Sequence, residues 1–158
     1  MKTATVKQLK DELRHHSTEE LMNLCLRLSR FKKENKELLT YLLFEAADEQ
    51  TYIESVKEEI DEKFELVNRK SPYFVKKSIR SILNHTKKYI RYSQSKETEL
   101  ELLIYFCQKL HDFQPSIHRN RKVETIYYRL IQECKKKTSL LHEDLQYYYF
   151  RELEFLEK

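Results

Sequence analysis

The sequence predicts an all-α fold of about eight antiparallel helices. Three observations favour it: apolar residues recur every three or four positions, serine and proline start signals separate the segments, and the 158 residues contain no glycine. Tight two-residue hairpin turns lean on glycine, so a β meander is a poor alternative. The choice between one closed bundle and a short stack of helix pairs, an α-α superhelix, stays open.

Start signals divide the amino-terminal part of the chain into short helices. Apolar residues of 6–13 fall on one face of a first helix. Ser17 and Glu20 form a capping box, in which the serine hydroxyl accepts the third amide and the glutamate reaches back. This box opens a second helix, which has an apolar stripe over 21–31. The apolar positions at 38–43 fall out of step with that stripe and predict a third helix.

Longer helices are predicted in the remainder. Asp48 is the expected cap of a fourth helix, and Ser71 with Pro72 ends that helix and starts a fifth. Ser95 opens a sixth, in which 102–107 is apolar on every side, so this helix is the expected centre of the protein. Apolar positions over 123–134 predict a seventh helix. Leu141, Leu145, Tyr148 and Leu156 predict the apolar stripe of an eighth.

An internal match bears on the choice between bundle and stack. The letters ELLTY at 37–41 and ELLIY at 101–105 align at an offset of 64 residues. A helical repeat is one interpretation, and chance similarity between helical segments is the other. In either case we expect a single helical domain over 1–158.

Composition argues against most sites that use cofactors. Phosphate-cradling loops need glycine, which the chain lacks. The three cysteines are odd in number and far apart, and they are predicted to be small buried thiols in a reducing compartment. Neither a signal peptide nor a membrane span is evident, so a cytoplasmic location is expected. We expect no cofactor, no metal, no small-molecule substrate and no enzymatic activity, because no nucleophile pairs with a base.

Charge is the strongest local feature. Residues 48–65 hold eight acids against two lysines, a net of −6, whereas 71–95 hold six basic residues and no acid, a net of +6. Either the basic helix 72–92 is a phosphate-binding surface, or the acidic helix 48–65 lies beside it and neutralises it. The candidate nucleic-acid or anion-binding residues are Lys76, Lys77, Arg80, Lys87, Lys88 and Arg91.

Three stretches carry a resemblance to a family. They are VKQLKDELRHHSTEELMNLCLRLSRFKKENKELLTYLLFEA at 6–46, KKSIRSILNHTKKYIRYS at 76–93 and ETELELLIYFC at 97–107. Together they resemble a family of short, uncharacterised all-helical bacterial proteins. The resemblance implies a bacterial cytoplasmic helical protein and supplies no reaction, cofactor or site.

These observations predict a non-enzymatic helical interaction or scaffold protein. A protein partner or a second copy would bind exposed tyrosines and helix faces, since the run Tyr147–Phe150 is too aromatic to be wholly core. The alternative is a nucleic-acid-binding protein, without sequence preference, that uses the basic helix 72–92.

Overall fold

The computed structural model describes residues 1–157, which form eight α-helices and no strand. The all-α prediction is therefore confirmed. A π-helical turn at Tyr41–Glu45 and a short 3-10 helix at Ile117–Arg119 complete the secondary structure. No helix within 1–157 is long and apolar enough to cross a membrane. The helices are α1 (Val6–Leu13), α2 (Thr18–Phe31), α3 (Lys33–Thr40), α4 (Glu49–Glu65), α5 (Pro72–Ser93), α6 (Lys96–His111), α7 (Arg121–Thr138) and α8 (Glu143–Leu156).

The chain separates into two compact units. Met1–Phe44 contains α1, α2 and α3, and α2 contacts α3. Glu45–Lys158 contains α4 to α8. The single domain expected over 1–158 stays a prediction.

Side chains accept early backbone amides at every α-helix except α3, as the start signals predict for several of them. Ser17 Oγ accepts the Glu20 amide at 3.3 Å, and Glu20 Oε2 accepts the Ser17 amide at 2.7 Å. Asp48, Ser71 and Ser95 each accept one backbone amide three residues further on, at the starts of α4, α5 and α6. Replacing such a cap with alanine typically costs about 1 kcal/mol. These local interactions fix where the helices begin.

Helix α5 ends in a left-handed residue that is not glycine. Gln94 has φ 56° and ψ 10°, the left-handed conformation in which helices commonly place glycine. Its amide donates to the carbonyl oxygen of Ile90. A left-handed conformation costs a residue with a Cβ about 1–2 kcal/mol, so this turn is held by the helices on either side of it.

Helix α6 is the centre of residues 45–158, as predicted. It contacts α4, α5, α7 and α8. Leu100, Leu102, Leu103, Phe106 and Leu110 are fully buried. At about 100° per residue, Leu100 and Leu102 lie on nearly opposite sides of the helix. The four surrounding helices each turn one apolar face towards α6.

Aromatic rings and buried threonines complete this core. The Phe64 ring lies 5.5 Å from that of Phe106 and 6.2 Å from that of Phe113, measured between centroids. Thr86 Oγ1 donates to the Ile82 carbonyl oxygen at 3.0 Å. Within 1–157, no buried side-chain nitrogen or oxygen lacks a hydrogen-bond partner. The interior is therefore apolar with its few polar atoms satisfied.

Replacing Leu103 with alanine tests the central position of α6. Leu103 has no exposed surface, so Leu103→Ala should lower the free energy of unfolding by about 2–5 kcal/mol through lost burial and a residual cavity. Leu140 is 74% exposed, and Leu140→Ala should change it by less than about 0.5 kcal/mol. Urea denaturation of both variants measures the difference, and equal effects would contradict this packing.

Candidate interaction surfaces

The apolar residues of α1 and α2 lie on the surface. In 1–44 the only buried side chain is Tyr41. Val6 is 83% exposed, Leu28 61% and Phe31 78%. Helices of globular proteins normally bury such residues, so this unit presents an uncovered apolar surface. Its other exposed large apolar side chains are Met1, Leu9, Leu13, Met22, Leu24, Leu26, Leu42, Leu43 and Phe44.

One face of α2 carries a continuous part of this surface, which we term the α2 stripe. Its members are Leu21, Leu24, Cys25, Leu28 and Phe31. Spacings of three and four residues place them on one side of the helix. Leu21 is half-buried and the other four are exposed. The sequence predicts the stripe correctly but does not show that it lies uncovered.

Local interactions rather than a core define the helices of this unit. Thr5 and Gln8 form a capping box at α1, a start that was not predicted although Thr5-x-x-Gln8 carries the signal. At the other end of α1, Nη1 of the C-cap residue Arg14 lies 3.6 Å from Asp11 Oδ1. Isolated helices shorter than about 12–15 residues are marginal in water. Helices of 8 and 14 residues therefore need contacts beyond their own backbones.

The three cysteines do not share one environment. Cys107 and Cys134 are fully buried, as predicted. Their shared hydrogen bond, together with burial, raises the pKa of the Cys107 thiol. The prediction is wrong for Cys25, which is exposed, because the stripe that contains it is uncovered. Cys25 is thus the accessible thiol of the chain.

The aromatic run on α8 is divided between core and surface. Tyr149 is buried with Leu153 and Leu156, whereas Tyr147 and Tyr148 are exposed. The predicted apolar stripe of this helix includes Tyr148, and that prediction is wrong by one residue. The buried face of α8 follows Tyr149 in steps of four and three. Two tyrosines consequently point to solvent beside each other.

Six basic side chains of α5 form what we term the basic stripe: Lys76, Lys77, Arg80, Lys87, Lys88 and Arg91. At about 100° per residue, Lys76, Arg80, Lys87 and Arg91 fall within an arc of about 60°. Lys77 lies beside that arc. Within 1–157, Lys76, Lys77, Arg80 and Arg91 form no ion pair.

A groove between α5 and α7 brings further cations to the basic stripe. It has a volume of about 180 Å³ and is lined by Arg80, Asn84 and Lys87 of α5 together with Arg129 of α7. Three apolar side chains form its floor: Leu83, Ile126 and Leu130. Lys87 Nζ lies 3.6 Å from Glu133 Oε2. One of the three cations is thus balanced by a carboxylate.

The carboxylates of α4 are divided between two neighbouring helices. Glu59 reaches α5, where it accepts the Tyr89 hydroxyl at 3.0 Å and lies 3.1 Å from His85 Nε2. Asp61 instead faces α6, with Lys109 Nζ at 2.9 Å and the Tyr105 hydroxyl at 2.8 Å. Some carboxylates of α4 therefore point away from the basic stripe and do not neutralise it.

Three further acids of α4 also leave most of the basic stripe without an ion pair. Glu54 lies 3.0 Å from Lys57 Nζ on its own helix. Glu58 and Glu62 form no ion pair within residues 1–157. If α4 neutralised α5, we would expect these three acids to pair with the basic stripe. None of them forms an ion pair with Lys76, Lys77, Arg80 or Arg91.

The densest polar cluster joins α4, α6 and α8. Lys57 Nζ contacts Glu101 Oε1 at 2.8 Å and lies 5.4 Å from the centroid of the Tyr105 ring. Burial, with the hydrogen bond to Asp61, raises the pKa of the Tyr105 hydroxyl. A pocket of about 140 Å³ adjoins the cluster and includes Glu152. The charged groups hold one another, which is the arrangement of a structural network between helices.

Comparison with known proteins adds no residue roles. No protein-family model, curated protein or solved structure matches the chain. This agrees with a resemblance to a family that has no known reaction. The bacterial origin implied by that resemblance stays a prediction. The surfaces described above are accordingly the basis for inferring function.

A pH titration tests the environment of His85. Burial lowers the pKa of His85, Lys63 and Lys88 act in the same direction, and the hydrogen bond to Glu59 opposes them. The folded pKa thus lies below the unfolded value of about 6.5. Between these two pKa values the folded state binds fewer protons than the unfolded state. The contribution of neutral His85 to the free energy of unfolding is therefore fully present above the unfolded pKa, and it is lost as the pH falls through the folded pKa.

We expect His85→Gln to reduce the loss of stability between about pH 7.5 and pH 5 relative to wild type, because it removes this proton linkage. Urea unfolding at each pH measures the change. His15→Gln is the control, since His15 is exposed. A wild-type pH dependence that persists in His85→Gln would contradict the role given to burial.

Proposed function

We propose that this chain is a non-enzymatic helical interaction protein that binds a protein partner through the α2 stripe. The observation that carries the proposal is the exposure of Leu24, Cys25, Leu28 and Phe31 on one helix face. Contiguous exposed apolar patches on soluble proteins mark sites of interaction. Burial of one such leucine or phenylalanine side chain is worth about 1.5–3 kcal/mol.

The two units differ in how far they bury their apolar side chains, and this difference supports the same proposal. Residues 45–158 bury a full apolar core around α6, although a few apolar side chains stay exposed, among them the neighbours Tyr73 and Phe74. Residues 1–44 have capped helices at α1 and α2 but leave most of their apolar side chains exposed. A helix held by caps and an open apolar face is suited to docking against another helix.

A second aromatic surface lies on α8. Tyr147 and Tyr148 are exposed, and Arg151 lies 5.9 Å from the centroid of the Tyr147 ring. Tyrosine and arginine are the residue types enriched where binding energy concentrates. This surface is a further place for a partner to contact the protein.

A non-enzymatic role in a reducing cytoplasm fits the side-chain chemistry. The densest cluster of ionisable groups is committed to pairs between helices. Cys25 is a free, exposed thiol and Cys107 and Cys134 are free and buried. Free thiols of this kind are characteristic of reducing compartments. A scaffold that acts through its surfaces requires no cofactor.

The double variant Leu28→Glu/Phe31→Glu tests whether the α2 stripe is open in the folded chain. It should lower the binding of a hydrophobic dye to the native protein. At low protein concentration it should change the free energy of unfolding by less than about 0.5 kcal/mol, because exposed sites contribute little. Leu66→Glu/Leu140→Glu, at positions 83% and 74% exposed, is the matched control.

A loss of several kcal/mol at every protein concentration would overturn this proposal. Charges placed in an apolar interior cost that much, and such a result would mean that Leu28 and Phe31 belong to the chain's own core. Dye fluorescence and urea unfolding at two protein concentrations provide both readouts.

A second candidate function is binding of nucleic acid without sequence preference. The observation that favours it is the groove in which Arg80, Lys87 and Arg129 converge. The exposed Arg91 lies on the same side of α5. Such cations would contact backbone phosphates and release counterions. The carboxylate of Glu133, beside Lys87, reduces the positive potential at one point of the groove. The net charge of the chain, +4, is modest for this role.

Arg80→Glu/Arg129→Glu tests the second candidate. Labelled double-stranded DNA should bind the wild type at low salt with an affinity that falls steeply as salt rises, and the variant should bind at least about tenfold more weakly. Lys2→Glu/Lys7→Glu makes the same change in net charge elsewhere and should have a smaller effect. Absence of wild-type binding at low salt would exclude this function.

A further inference from the structure

We infer that a cavity at the starts of α5 and α7 binds a small phosphate ester that carries one aromatic ring. The cavity has a volume of about 170 Å³ and is lined by residues of 69–75 and 113–123. Its lining residues belong neither to the α2 stripe nor to the groove at Arg129, so this inference goes beyond the functions proposed above. The size of the cavity, its apolar wall, its charges and its free hydrogen-bond donors carry the inference.

The wall of the cavity is largely apolar. Its buried side chains are Val75 of α5, Phe113 and Ile117 of the connection between α6 and α7, and Val123 of α7. A cavity of about 150 Å³ lined by apolar side chains is large enough to bind benzene. The space is therefore matched to a single aromatic ring, and the rest of the ligand lies among the polar lining residues.

Three cations line the same cavity, and no aspartate or glutamate of residues 1–157 does so. They are Arg69 and Lys70, which precede α5, and Arg119, which precedes α7. None of the three forms an ion pair within the described residues. Glu124, in the first turn of α7, is already paired with His118 Nδ1 at 2.8 Å. Cations of one sign around a small cleft favour an anionic ligand.

Arg69 is held in place by its own chain. Its Nε donates to the carbonyl oxygen of Gln114 at 3.0 Å, and its Nη1 donates to those of Glu65 and Val67 at 3.4 Å. The guanidinium carbon lies 4.9 Å from the centroid of the Phe113 ring. Within residues 1–157, Nη2 donates no hydrogen bond and is available to a ligand. A cation that is already fixed loses little freedom on binding, which favours affinity.

Two serine hydroxyls at the cavity supply further donors. Ser71 Oγ accepts the amide of Phe74, and Ser116 Oγ accepts that of His118, each at 3.4 Å. Neither hydroxyl donates a hydrogen bond to the part of the chain that the structure describes, so each has one proton to give. A phosphate group carries nearly two negative charges and three acceptor oxygens at neutral pH. Three cations and two hydroxyls suit that group better than a carboxylate.

Phenyl phosphate tests the site in the full chain. Its titration, followed through the backbone amide signals by NMR, should give saturable shifts within 69–75 and 113–123. We expect a dissociation constant of about 1 mM or lower for a ligand of this size. Methyl phosphate lacks the ring and benzyl alcohol lacks the charge, so each should bind at least about tenfold more weakly. Benzoate should also bind more weakly, because it carries one charge and two oxygens.

Two charge variants then locate the site. Arg119→Gln should weaken phenyl phosphate binding at least about fivefold, since it removes one cation from the cavity. Arg91→Gln makes the same change in charge about 28 Å further along α5 than Pro72. That distance exceeds the screening length of physiological salt, so Arg91→Gln should change the affinity less than about twofold. Both residues are exposed, and both variants should keep the wild-type free energy of unfolding.

Several results would overturn the inference. Binding that does not saturate by about 10 mM would mean that the cavity takes no such ligand. Equal affinities for phenyl phosphate and methyl phosphate would mean that only diffuse charge attracts the anion, and equal affinity for benzoate would refute the choice of phosphate. Equal effects of Arg119→Gln and Arg91→Gln would place the binding outside the cavity. None of these results depends on whether the α2 stripe binds a partner.

Discussion

The packing of four helices around α6 is the interaction on which residues 45–158 depend. Leu100, Leu102 and Leu103 are fully buried and lie on different sides of this helix, so α4, α5, α7 and α8 can each bury one face against it. Their outer faces are then free to be polar. The same requirement, that an apolar helix face be covered, is unmet in residues 1–44. The proposed interaction surface lies where that requirement fails.

The charges follow from the same packing. Because α4 lies against both α5 and α6, its carboxylates serve two helices: Glu59 meets His85, and Asp61 meets Lys109. Full neutralisation of the basic stripe would need those carboxylates on one side only. Arg80 and Arg91 thus remain open, and this residual charge keeps nucleic-acid binding as the second candidate.

Much of the fold could be predicted from sequence because its signals are local. Ser17, Asp48, Ser71 and Ser95 mark helix starts through hydrogen bonds to amides three residues away. The run at 102–107 identifies the central helix, because an apolar residue on every face of a helix can be satisfied only by burial.

The candidate site could be predicted only in part. Periodicity identifies the α2 stripe but not whether another element covers it, because that depends on tertiary contacts. Cys25 was therefore expected to be buried and is exposed. A shift of one residue moves a helix face by about 100°, which is why Tyr148 was assigned to the core in place of Tyr149. The groove at Arg129 joins residues about fifty positions apart, so no local pattern could show it.

The central claim is that the α2 stripe is uncovered in the folded chain and is therefore open to a partner. Hydrogen exchange of the backbone amides in the isolated full chain tests it most directly. Because residues 1–44 bury no side chain of α2, the amides of 18–31 should exchange far faster than those of the buried helix α6. Protection of 18–31 as strong as that of α6 would mean that the chain covers the stripe itself, and would contradict the account.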